Sequence, residues 1–365
     1  MGFDNFKFRS SNRVSYYNLN KDSALAHFID VYADVVKGYY QDVDKEGMVS
    51  AALQGMLDYL GDDYTTYLSE AEAKELTEKL SGQYEGIGIQ ITGNIIYSVF
   101  ADSPAQKAGL QVGDIITSIN GKEITEDNFS DITNTIKKED GDTFHIVVLR
   151  DEEELEFDVK RTILDMPAIS YAMLEDEKSK IGYLYIETFS NTIANQISKA
   201  LKDLEKDGME SLIIDVRGNT GGYLTAATDV SNLFLEEGKV IYSLETKTTT
   251  KAYKDTTSEK REYPIVVLIN GGSASSSEIL AAALKDSYGA TLVGTTSYGK
   301  GKVQSTKSYD DGTMSKVTTS KWLRPNGECI DGEGLHPDYE VELDINEEGT
   351  EIKDTQLEKA IELLS

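Results

Sequence analysis

Apolar side chains recur at helical spacing through the first part of the chain. They fall three or four residues apart, as on the buried face of an amphipathic helix, and they do so in two successive stretches. Ser69 and Glu72 then form a capping-box pattern, which predicts a third helix ending near Leu80. The spaced residues are Leu25, Phe28, Ile29, Tyr32, Val35, Val36 and Tyr39 in the first stretch, and Met48, Ala52, Leu53, Met56 and Leu60 in the second.

These patterns divide the start of the chain into two parts. Residues 1–20 are polar and aperiodic, and we expect a flexible tail there. Residues 21–80 form an N-terminal helical region with two interpretations. It is either an arm used in dimerisation or tethering, or a layer that packs on the protein's own core. The apolar spacing fits both interpretations, and both stay open at this point.

The pattern changes to short strands between residues 81 and 161. Glycines alternate with apolar residues in Gly86–Ile91. Ile115–Ile119 is an apolar strand that leads into Asn120 and Gly121, a pair typical of tight hairpin turns. We therefore predict one small, mostly β domain in this part of the chain.

Strands alternate with helices from Ile181 onward. Short, fully apolar runs are typical of strands that are buried on both faces, and amphipathic stretches separate them. This alternation predicts an α/β core in a protein of several domains, with ligands at the carboxyl ends of the strands. The predicted strands are Ile181–Ile186, Leu212–Val216, Pro264–Ile269 and Thr291–Gly294, and the predicted helices are Asn195–Glu205, one ending near Leu235, and Ser277–Lys285.

Composition and charge narrow the class of protein. The 365 residues are 39% hydrophobic and 27% charged, as in folded proteins, and the length exceeds one typical domain. The formal net charge of -28 opposes binding to DNA or RNA, which requires a basic surface against the phosphates. We therefore expect no nucleic-acid partner. The single cysteine, Cys329, excludes an intrachain disulfide.

Signals for membrane insertion or export are not visible in the sequence. No apolar run approaches the roughly 18 residues of a membrane-spanning helix, and the first residues lack a charged stretch followed by an apolar one. The protein is therefore either cytosolic, or its anchor or signal lies outside this chain.

Three predicted strand ends carry residues suited to catalysis. The first is the serine-rich turn Ser273–Ser277, which precedes a helix whose dipole would favour a negatively charged oxygen. The second is Asn219–Gly222, where adjacent glycines allow backbone N–H groups to face a ligand. The third places Lys300 between two glycines just after a strand. Each segment also fits a purely structural role, as a helix cap, a turn or a surface lysine.

A serine–lysine pair is one chemistry that these strand ends can support. A serine hydroxyl needs a base, and a buried lysine with a lowered pKa can act as one. Gln304 lies four residues beyond Lys300 and could accept a hydrogen bond from the lysine nitrogen. A Ser–His–Asp triad would need a suitable histidine instead, and His336 remains a candidate.

Two other site classes are disfavoured by the sequence. Gly294–Lys300 imitates a phosphate-binding loop, but Gly301 follows where such a loop needs Ser or Thr, and the next residues have a strand pattern. No HExxH motif and no paired Cys/His spacing is present, so we expect no zinc site.

Five segments together resemble the C-terminal processing peptidases, also called tail-specific proteases. Asp215–Gly222 is similar to the family's Asp-Leu-Arg-Asn-Asn-Pro-Gly-Gly, and Ser273–Glu278 to its Ser-Ala-Ser-Ala-Ser-Glu. Met56–Thr65 resembles the segment before the family's PDZ domain, Gly82–Ile89 the start of that domain, and Lys321–Asp338 the terminal signature. The resemblance implies an N-terminal helical region, an inserted β-rich PDZ domain at residues 81–161, and a crotonase/ClpP-like α/β protease core at residues 162–365.

The resemblance also implies a catalytic mechanism. In this family the middle serine of the serine motif is the nucleophile, a lysine follows it by 25 residues, and a glutamine follows the lysine by four. Ser275, Lys300 and Gln304 match that spacing. They imply a serine endopeptidase with a Ser–Lys dyad, an assisting glutamine, and neither cofactor nor metal. The backbone N–H groups of Gly221 and Ser276 are the implied oxyanion hole.

A PDZ domain implies recognition of substrate C-termini. The N–H groups of Gly86, Ile87, Gly88 and Ile89 would bind the terminal carboxylate, and the peptide would add as a strand to the domain's edge. Relatives use this binding to open the protease. The implied partners are proteins or peptides with apolar C-terminal tails, and a second copy of the chain bound through the N- and C-terminal helices. Family members usually carry a signal or membrane helix, so the resemblance implies an extracytoplasmic protein, secreted or anchored through a segment absent from this chain.

Departures from the family pattern leave the reacting groups in place. Ser276 replaces a usual alanine, Thr220 a common proline and Tyr298 a common phenylalanine. Asp286 matches an acidic position of the family, and we interpret it as structural support. The alternative function is a catalytically silent PDZ-type module that binds protein C-termini. A non-proteolytic relative that binds acyl thioesters is a third hypothesis, although it has no clear use for a PDZ domain.

Overall fold

The chain divides into two compact units, Met1–Tyr67 and Leu68–Ser365. The computed structural model describes residues 8–10, 13–15, 23–125, 127–130, 132, 135–136, 142–175, 179–258, 260–345 and 352–365. The borders near residues 80 and 161 that the sequence suggests lie inside the second unit, and they stay predictions.

The first unit contains a strand pair and two helices. β1 (Phe8–Ser10) pairs antiparallel with β2 (Arg13–Ser15), in a segment where the sequence predicts a tail without strands. The rest of residues 1–20 lies outside the described residues. α1 (Ser23–Gly38) and α2 (Lys45–Asp58) confirm the first two predicted helices. β3 (Thr66–Leu68) spans the end of this unit.

The second unit continues with a helix and a β-rich part. α3 (Glu70–Ser81) has the predicted capping box, in which Glu72 accepts the Ser69 N–H at 2.8 Å. The elements that follow are β4 (Gln83–Gly86), β5 (Ile89–Thr92), β6 (Ile95–Val99), α4 (Pro104–Ala108), β7 (Ile115–Ile119), β8 (Lys122–Glu123), β9 (Thr143–Arg150), β10 (Glu153–Lys160) and β11 (Thr162–Asp165).

The strands β5 to β10 form one antiparallel sheet, in agreement with the mostly β domain that the sequence predicts. Its order is β10-β9-β7-β6-β5, with β8 beside β7, so β5 lies at one edge. Asn120 and Gly121 have φ values of 51° and 78°, as the tight turn between β7 and β8 requires. β4 pairs with β11, so the strands that enter and leave this part of the chain lie side by side. Buried isoleucines such as Ile96, Ile116 and Ile146 fill its core.

A six-stranded sheet forms the centre of the remaining chain. Its order is β12-β13-β14-β17-β18-β21, and every neighbouring pair in it is parallel except β12 with β13. This sheet confirms the predicted α/β core. The elements of this part are β12 (Ile169–Glu175), β13 (Lys180–Ile186), α5 (Ile193–Lys206), β14 (Ser211–Asp215), α6 (Leu224–Ser231), β15 (Val240–Glu245), β16 (Thr250–Lys254), β17 (Ile265–Ile269), α7 (Ser276–Ala283), β18 (Thr291–Gly294), β19 (Lys302–Ser308), β20 (Met314–Leu323), β21 (Tyr339–Glu340), β22 (Asp344–Ile345), β23 (Ile352–Lys353) and α8 (Thr355–Leu364).

Helices cover both faces of the central sheet. Every residue of β14 and of β17 is buried, as expected for strands enclosed on two sides. α5, α6 and α7 contribute to the core on one face, and α8 packs on the other through Leu357, Ala360 and Ile361. α7 passes directly into a π-helical turn, Leu284–Tyr288. The strands β16, β15, β20 and β19 pair in that order as a second sheet, which the sequence does not predict.

Candidate active site

Three neighbouring parallel strands bring the predicted catalytic segments to one edge of the central sheet. β14, β17 and β18 lie side by side, and parallel strands present their carboxyl ends at the same edge. The segments that follow them are 216–222, 270–275 and 295–300, which hold the glycine pair, the serine-rich turn and Lys300. The sheet therefore gathers the three strand ends that the sequence singles out.

The turn after β17 holds Ser275 in a strained backbone conformation. Its φ is 55° and its ψ is -115°. A non-glycine residue in such a sparsely populated region costs about 1–3 kcal/mol, and such residues cluster at functional sites. Ser275 is partly exposed, whereas Ser273, Ser276 and Ser277 are buried and each donates its hydroxyl to a backbone carbonyl. Backbone strain and exposure thus separate Ser275 from the other serines of the turn.

A buried carboxylate connects the serine turn with the lysine loop. Glu278 lies in the first turn of α7 and is 0% exposed. Its Oε2 accepts the N–H of Ser275 at 2.7 Å and the N–H of Lys300 at 3.0 Å. Its Oε1 accepts the Ser297 hydroxyl at 2.6 Å and the Gly299 N–H at 2.7 Å. Because two N–H groups meet on one oxygen atom, the backbones of Ser275 and Lys300 lie next to each other.

The surroundings of Lys300 favour its neutral form. Burial lowers the pKa of Lys300, and the positive charge of Lys316 lowers it further, while the charge of Glu278 acts in the opposite direction. The indole Nε1 of Trp322 donates to the Lys300 carbonyl oxygen at 2.8 Å, which fixes the loop from the second sheet. A lysine with a lowered pKa is unprotonated more often near neutral pH, as a general base must be.

Gln304 lies on β19, at an irregularity of the second sheet. The pairing of β19 with β20 shifts by one residue between Val303 and Gln304, and such bulges commonly redirect a side chain. The Gln304 amide nitrogen donates to Thr318 Oγ1 at 3.1 Å. This bond orients the amide, whose oxygen is the end that can accept a hydrogen bond from an amine.

Gly221 lies against the serine turn and must be glycine. Its φ is +99°, and an added Cβ would come within 2.8 Å of the Ala274 carbonyl oxygen and 3.0 Å of both Ser275 Cβ and Ser276 N. The Gly221 N–H, implied as an oxyanion donor, donates to Asn219 Oδ1 at 2.8 Å in this structure. In the described part of the chain no acceptor faces the Ser276 N–H, as expected at the first residue of a helix.

Asn219 is a residue whose role sequence reasoning missed. It is 2% exposed, and its amide nitrogen donates to the Ile186 carbonyl at 2.8 Å while its oxygen accepts the Gly221 N–H. Its carbonyl oxygen accepts the Ser277 hydroxyl at 2.8 Å and the Ala274 N–H at 3.0 Å. Asn219 therefore joins the glycine loop to the serine turn. Its place within a strand-to-helix turn was the available signal, but a turn alone does not reveal these partners.

The loop between β4 and β5 borders a cavity of about 100 Å³. Gly88 there has a φ of +88°, which only glycine adopts without strain. Among the described strands β5 lies at the edge of its sheet, and this edge adjoins the cavity, so the predicted carboxylate loop and an edge strand lie together. The cavity is lined by Tyr84, Glu85, Gly86, Ile87, Gly88, Ile89, Ile91, Ile132 and Ile136.

Comparison with known families agrees with this organisation. The model of peptidase family S41 matches residues 180–341, a PDZ domain model matches residues 95–150, and the model of the activating protease CtpB N-terminal domain matches residues 6–72. The carboxy-terminal processing protease CtpA of Bacillus subtilis is 36% identical over 328 residues, which cover 88% of this chain and 70% of that protein. This chain belongs to the C-terminal processing proteases of peptidase family S41. It is thus a serine protease with a PDZ domain, and its substrates are proteins.

Two further proteins are similar to this S41 protease, one in sequence and one in fold. A probable CtpA-like serine protease of Staphylococcus aureus is 32% identical over 347 residues, covering 93% of this chain and 68% of that protein. The photosystem II D1 C-terminal processing protease has the same fold, with a TM-score of 0.52, 23% identity and 88% of each chain covered. None of the helices in the described ranges has the length and apolar composition that a membrane crossing requires.

The other candidate residues of this S41 protease have structural partners. The His336 ring is exposed and contacts Thr296 Oγ1 at 3.1 Å. Asp286 forms a two-bond ion pair with Arg324, at 2.7 and 3.0 Å, consistent with the structural support that the sequence suggests. The residues after Gly301 form β19, as predicted, and not the helix that follows a phosphate-binding loop.

Proposed function

We propose that this protease cleaves peptide bonds with Ser275 as nucleophile, Lys300 as general base and Gln304 as the group that orients the lysine. One observation carries the proposal. The Ser275 and Lys300 N–H groups converge on the same oxygen of Glu278, at 2.7 and 3.0 Å. A serine with a strained backbone and a lysine with a lowered pKa are therefore neighbours, as base-assisted attack requires.

The proposed reaction proceeds through an acyl-enzyme. The neutral Lys300 amine takes the Ser275 hydroxyl proton as the serine oxygen bonds to the peptide carbonyl carbon. Lys300 then gives this proton to the leaving amine as the C–N bond breaks, and an ester on Ser275 remains. Water attacks the ester and transfers a proton to Lys300, which returns it to the Ser275 oxygen as the carboxylic product leaves.

The oxyanion of each tetrahedral intermediate would be bound by the N–H groups of Ser276 and Gly221. The Ser276 N–H is at the N-terminus of α7, where the helix dipole adds to the hydrogen bond. The Gly221 N–H must exchange its bond to Asn219 for one to the substrate oxygen. A donor of this kind contributes about 10²- to 10³-fold to kcat.

The test compares the wild type with Ser275→Ala, Lys300→Ala and Gln304→Ala, on casein and on a peptide with an apolar C-terminus. We expect no cleavage with the first two variants and reduced cleavage with the third. Because Lys300 must lose its proton to act, wild-type kcat/KM should rise with pH between about pH 6 and pH 10, with a midpoint below the usual lysine pKa of about 10.4.

Two outcomes would contradict this proposal. Cleavage by Ser275→Ala would mean that another residue is the nucleophile. A wild type that stays inert even with a PDZ-binding peptide present would favour the alternative, a catalytically silent module that binds C-termini.

The PDZ part would recognise apolar C-terminal tails of substrates and thereby gate the catalytic site. The loop N–H groups of Gly86, Ile87, Gly88 and Ile89 would bind the terminal carboxylate, and the peptide backbone would pair with the free edge of β5. The isoleucines that line the adjoining cavity favour an apolar terminal side chain.

The proposed location is extracytoplasmic, either secreted or anchored to a membrane. This proposal rests on the usual pattern of the family. Fractionation of cells that produce the native protein would test it, and recovery in the cytoplasmic fraction would contradict it.

A further inference from the structure

The mechanism above leaves one buried ionisable group of the site without a role. Glu278 is fully buried, yet it takes part in none of the proton transfers. Burial raises the pKa of its carboxyl, and the four donors that it accepts from oppose that shift. Burying a carboxyl group is costly unless its oxygens are hydrogen-bonded. A carboxylate kept in this position therefore calls for an explanation.

The donors to Glu278 come from both halves of the catalytic pair. One belongs to the serine turn that precedes α7, and three belong to the segment Ser297–Lys300 that follows β18. If the two segments moved apart, at least one buried donor would lose its acceptor, which destabilises the separated arrangement. The carboxylate thus fixes the serine turn relative to the lysine loop.

Charge gives Glu278 a second effect on Lys300. The negative charge of Glu278 raises the pKa of Lys300, and the positive charge of Lys316 lowers it. In the β19–β20 ladder, Gln304 pairs with Thr318 and Thr306 pairs with Lys316. The two pairs are two residues apart on each strand, so Lys316 and Gln304 lie on the same face of the sheet. The other carboxylate at this loop is Asp331, which accepts the Gly301 N–H at 3.2 Å.

We propose that Glu278 is the positioning residue of the Ser–Lys pair: its carboxylate holds Ser275 and Lys300 in register, and its charge opposes that of Lys316 at the lysine amine. This inference rests on the proposed Ser–Lys mechanism. It extends that mechanism because the protonation of the base then depends on two flanking side chains of opposite sign, neither of which reacts.

Glu278→Gln separates the charge from the hydrogen bonds. The glutamine oxygen can accept from the Ser275 and Lys300 N–H groups, and its nitrogen can donate to the Ser297 hydroxyl oxygen. The Gly299 N–H and the Ser297 hydroxyl hydrogen then lose the acceptor that Glu278 Oε1 provides. Glu278→Asp is the complementary variant, because it keeps the charge but is one methylene too short to span the two segments.

The measurement is kcat/KM against pH for each variant, with kcat and KM determined separately. Removing the negative charge lowers the pKa of Lys300, so the rising limb of the pH profile of Glu278→Gln should move to lower pH. Lys316→Gln should move the same limb to higher pH. Glu278→Asp should keep the limb near its wild-type position and lower kcat by about 100-fold with little change in KM.

Matched controls separate these effects from a general loss of structure. Glu262→Gln removes a carboxylate that is exposed on the surface, and Lys307→Gln removes a lysine one residue from Thr306, on the opposite face of β19. Neither variant should move the rising limb of the plot of kcat/KM against pH. Thermal unfolding of every variant shows which ones fold, and Lys316→Gln tests the charge effect even if Glu278→Gln does not fold.

The inference and the proposed function fail in different ways. If Lys300→Ala still cleaves, the Ser–Lys mechanism is wrong. If Lys300→Ala is inactive but the limbs of Glu278→Gln and Lys316→Gln coincide with the wild-type limb, the mechanism stands and the proposed charge effect of Glu278 is wrong. If folded Glu278→Asp keeps full kcat, Glu278 does not position the pair.

Discussion

The backbone of Ser275 shows how a single residue can be held in a conformation that it would not adopt alone. Its positive φ is maintained by neighbours on both sides, since the Ala274 N–H donates to the Asn219 carbonyl and the Ser275 N–H donates to Glu278. These bonds fix the turn on either side of the serine. Strain of this kind persists only where the surrounding structure over-determines it.

This strain predicts a stability difference between two inactive variants. Ser275→Gly should be more stable to urea unfolding than Ser275→Ala by about 1 kcal/mol, because glycine adopts the positive φ freely while alanine retains the strain. Both variants lack the hydroxyl, so neither should cleave. Equal unfolding midpoints and slopes would indicate that the turn is not strained.

Gly221 gives a second prediction for a single residue. Gly221→Ala should lower kcat by about 10²-fold or more, because its Cβ would push against the Ala274 carbonyl and Ser275 and displace the oxyanion loop. Gly238→Ala is the matched control, since Gly238 also has a positive φ, +86°, but has open space around it. Steady-state kinetics of both folded variants provide the measurement, and similar losses in both would mean that Gly221 acts only through backbone strain.

Sequence reasoning could name the candidate reacting residues but not the groups that position them. Ser275, Lys300 and Gln304 follow from motif order and spacing. Glu278 ends the same serine motif, yet its bonds reach a loop about 20 residues further on, and those contacts exist only once β17 and β18 pair. Lys316 likewise approaches Lys300 only through the pairing of β19 with β20.

Among the larger elements, periodicity reveals the buried strands and misses the half-exposed ones. β14 and β17 are short apolar runs, and their positions were predicted to within about a residue. β19 and β20 are rich in Lys, Ser and Thr and only partly buried, so they lack the apolar pattern of a core strand. The sequence predicts a strand after Lys300, but only the structure shows the hairpin that this strand forms with β20 and that supplies Gln304.

The C-terminal helix α8 is connected by Arg217 to the edge of the sheet that carries the candidate active site, and Arg217 is close in sequence to Gly221. Arg217 donates to Asp215 and Asp354 at distances of 2.6 to 3.0 Å, and to Gln356 at 2.9 Å. Asp354 also caps α8 by accepting the Leu357 N–H at 2.9 Å. One carboxylate thus serves both the ion pair and the helix cap.

Asparagine and alanine at position 354 should separate these two roles. Asp354→Asn keeps an efficient cap but loses the charge that Arg217 contacts, whereas Asp354→Ala loses both. We expect the alanine variant to be less stable to urea than the asparagine variant by about 1 kcal/mol, with faster hydrogen exchange in α8. Equal stabilities would show that the cap contributes nothing.

At the scale of the whole molecule, the proposed binding site for a substrate C-terminus lies in the same compact unit as the candidate catalytic residues. The carboxylate loop, the β5 edge and the catalytic sheet all belong to the compact unit Leu68–Ser365. A peptide with an apolar C-terminus should therefore bind with a free carboxylate and bind at least tenfold more weakly when amidated, because the loop N–H groups then lose a charged acceptor. Fluorescence anisotropy with both peptides on Ser275→Ala measures this, and equal affinities would contradict C-terminal recognition.

The N-terminal unit exposes apolar residues on one face of α1. Phe28, Val31 and Val35 lie on one face of α1 and are 50%, 47% and 41% exposed. We therefore expect a homodimer through this unit, which Phe28→Asp combined with Val35→Asp should convert to a monomer in sedimentation equilibrium. Val112→Asp, at a residue that is 65% exposed in the β-rich part, should leave the dimer intact. A monomeric wild type would contradict this expectation, which rests on the rarity of large exposed apolar patches in stable monomers.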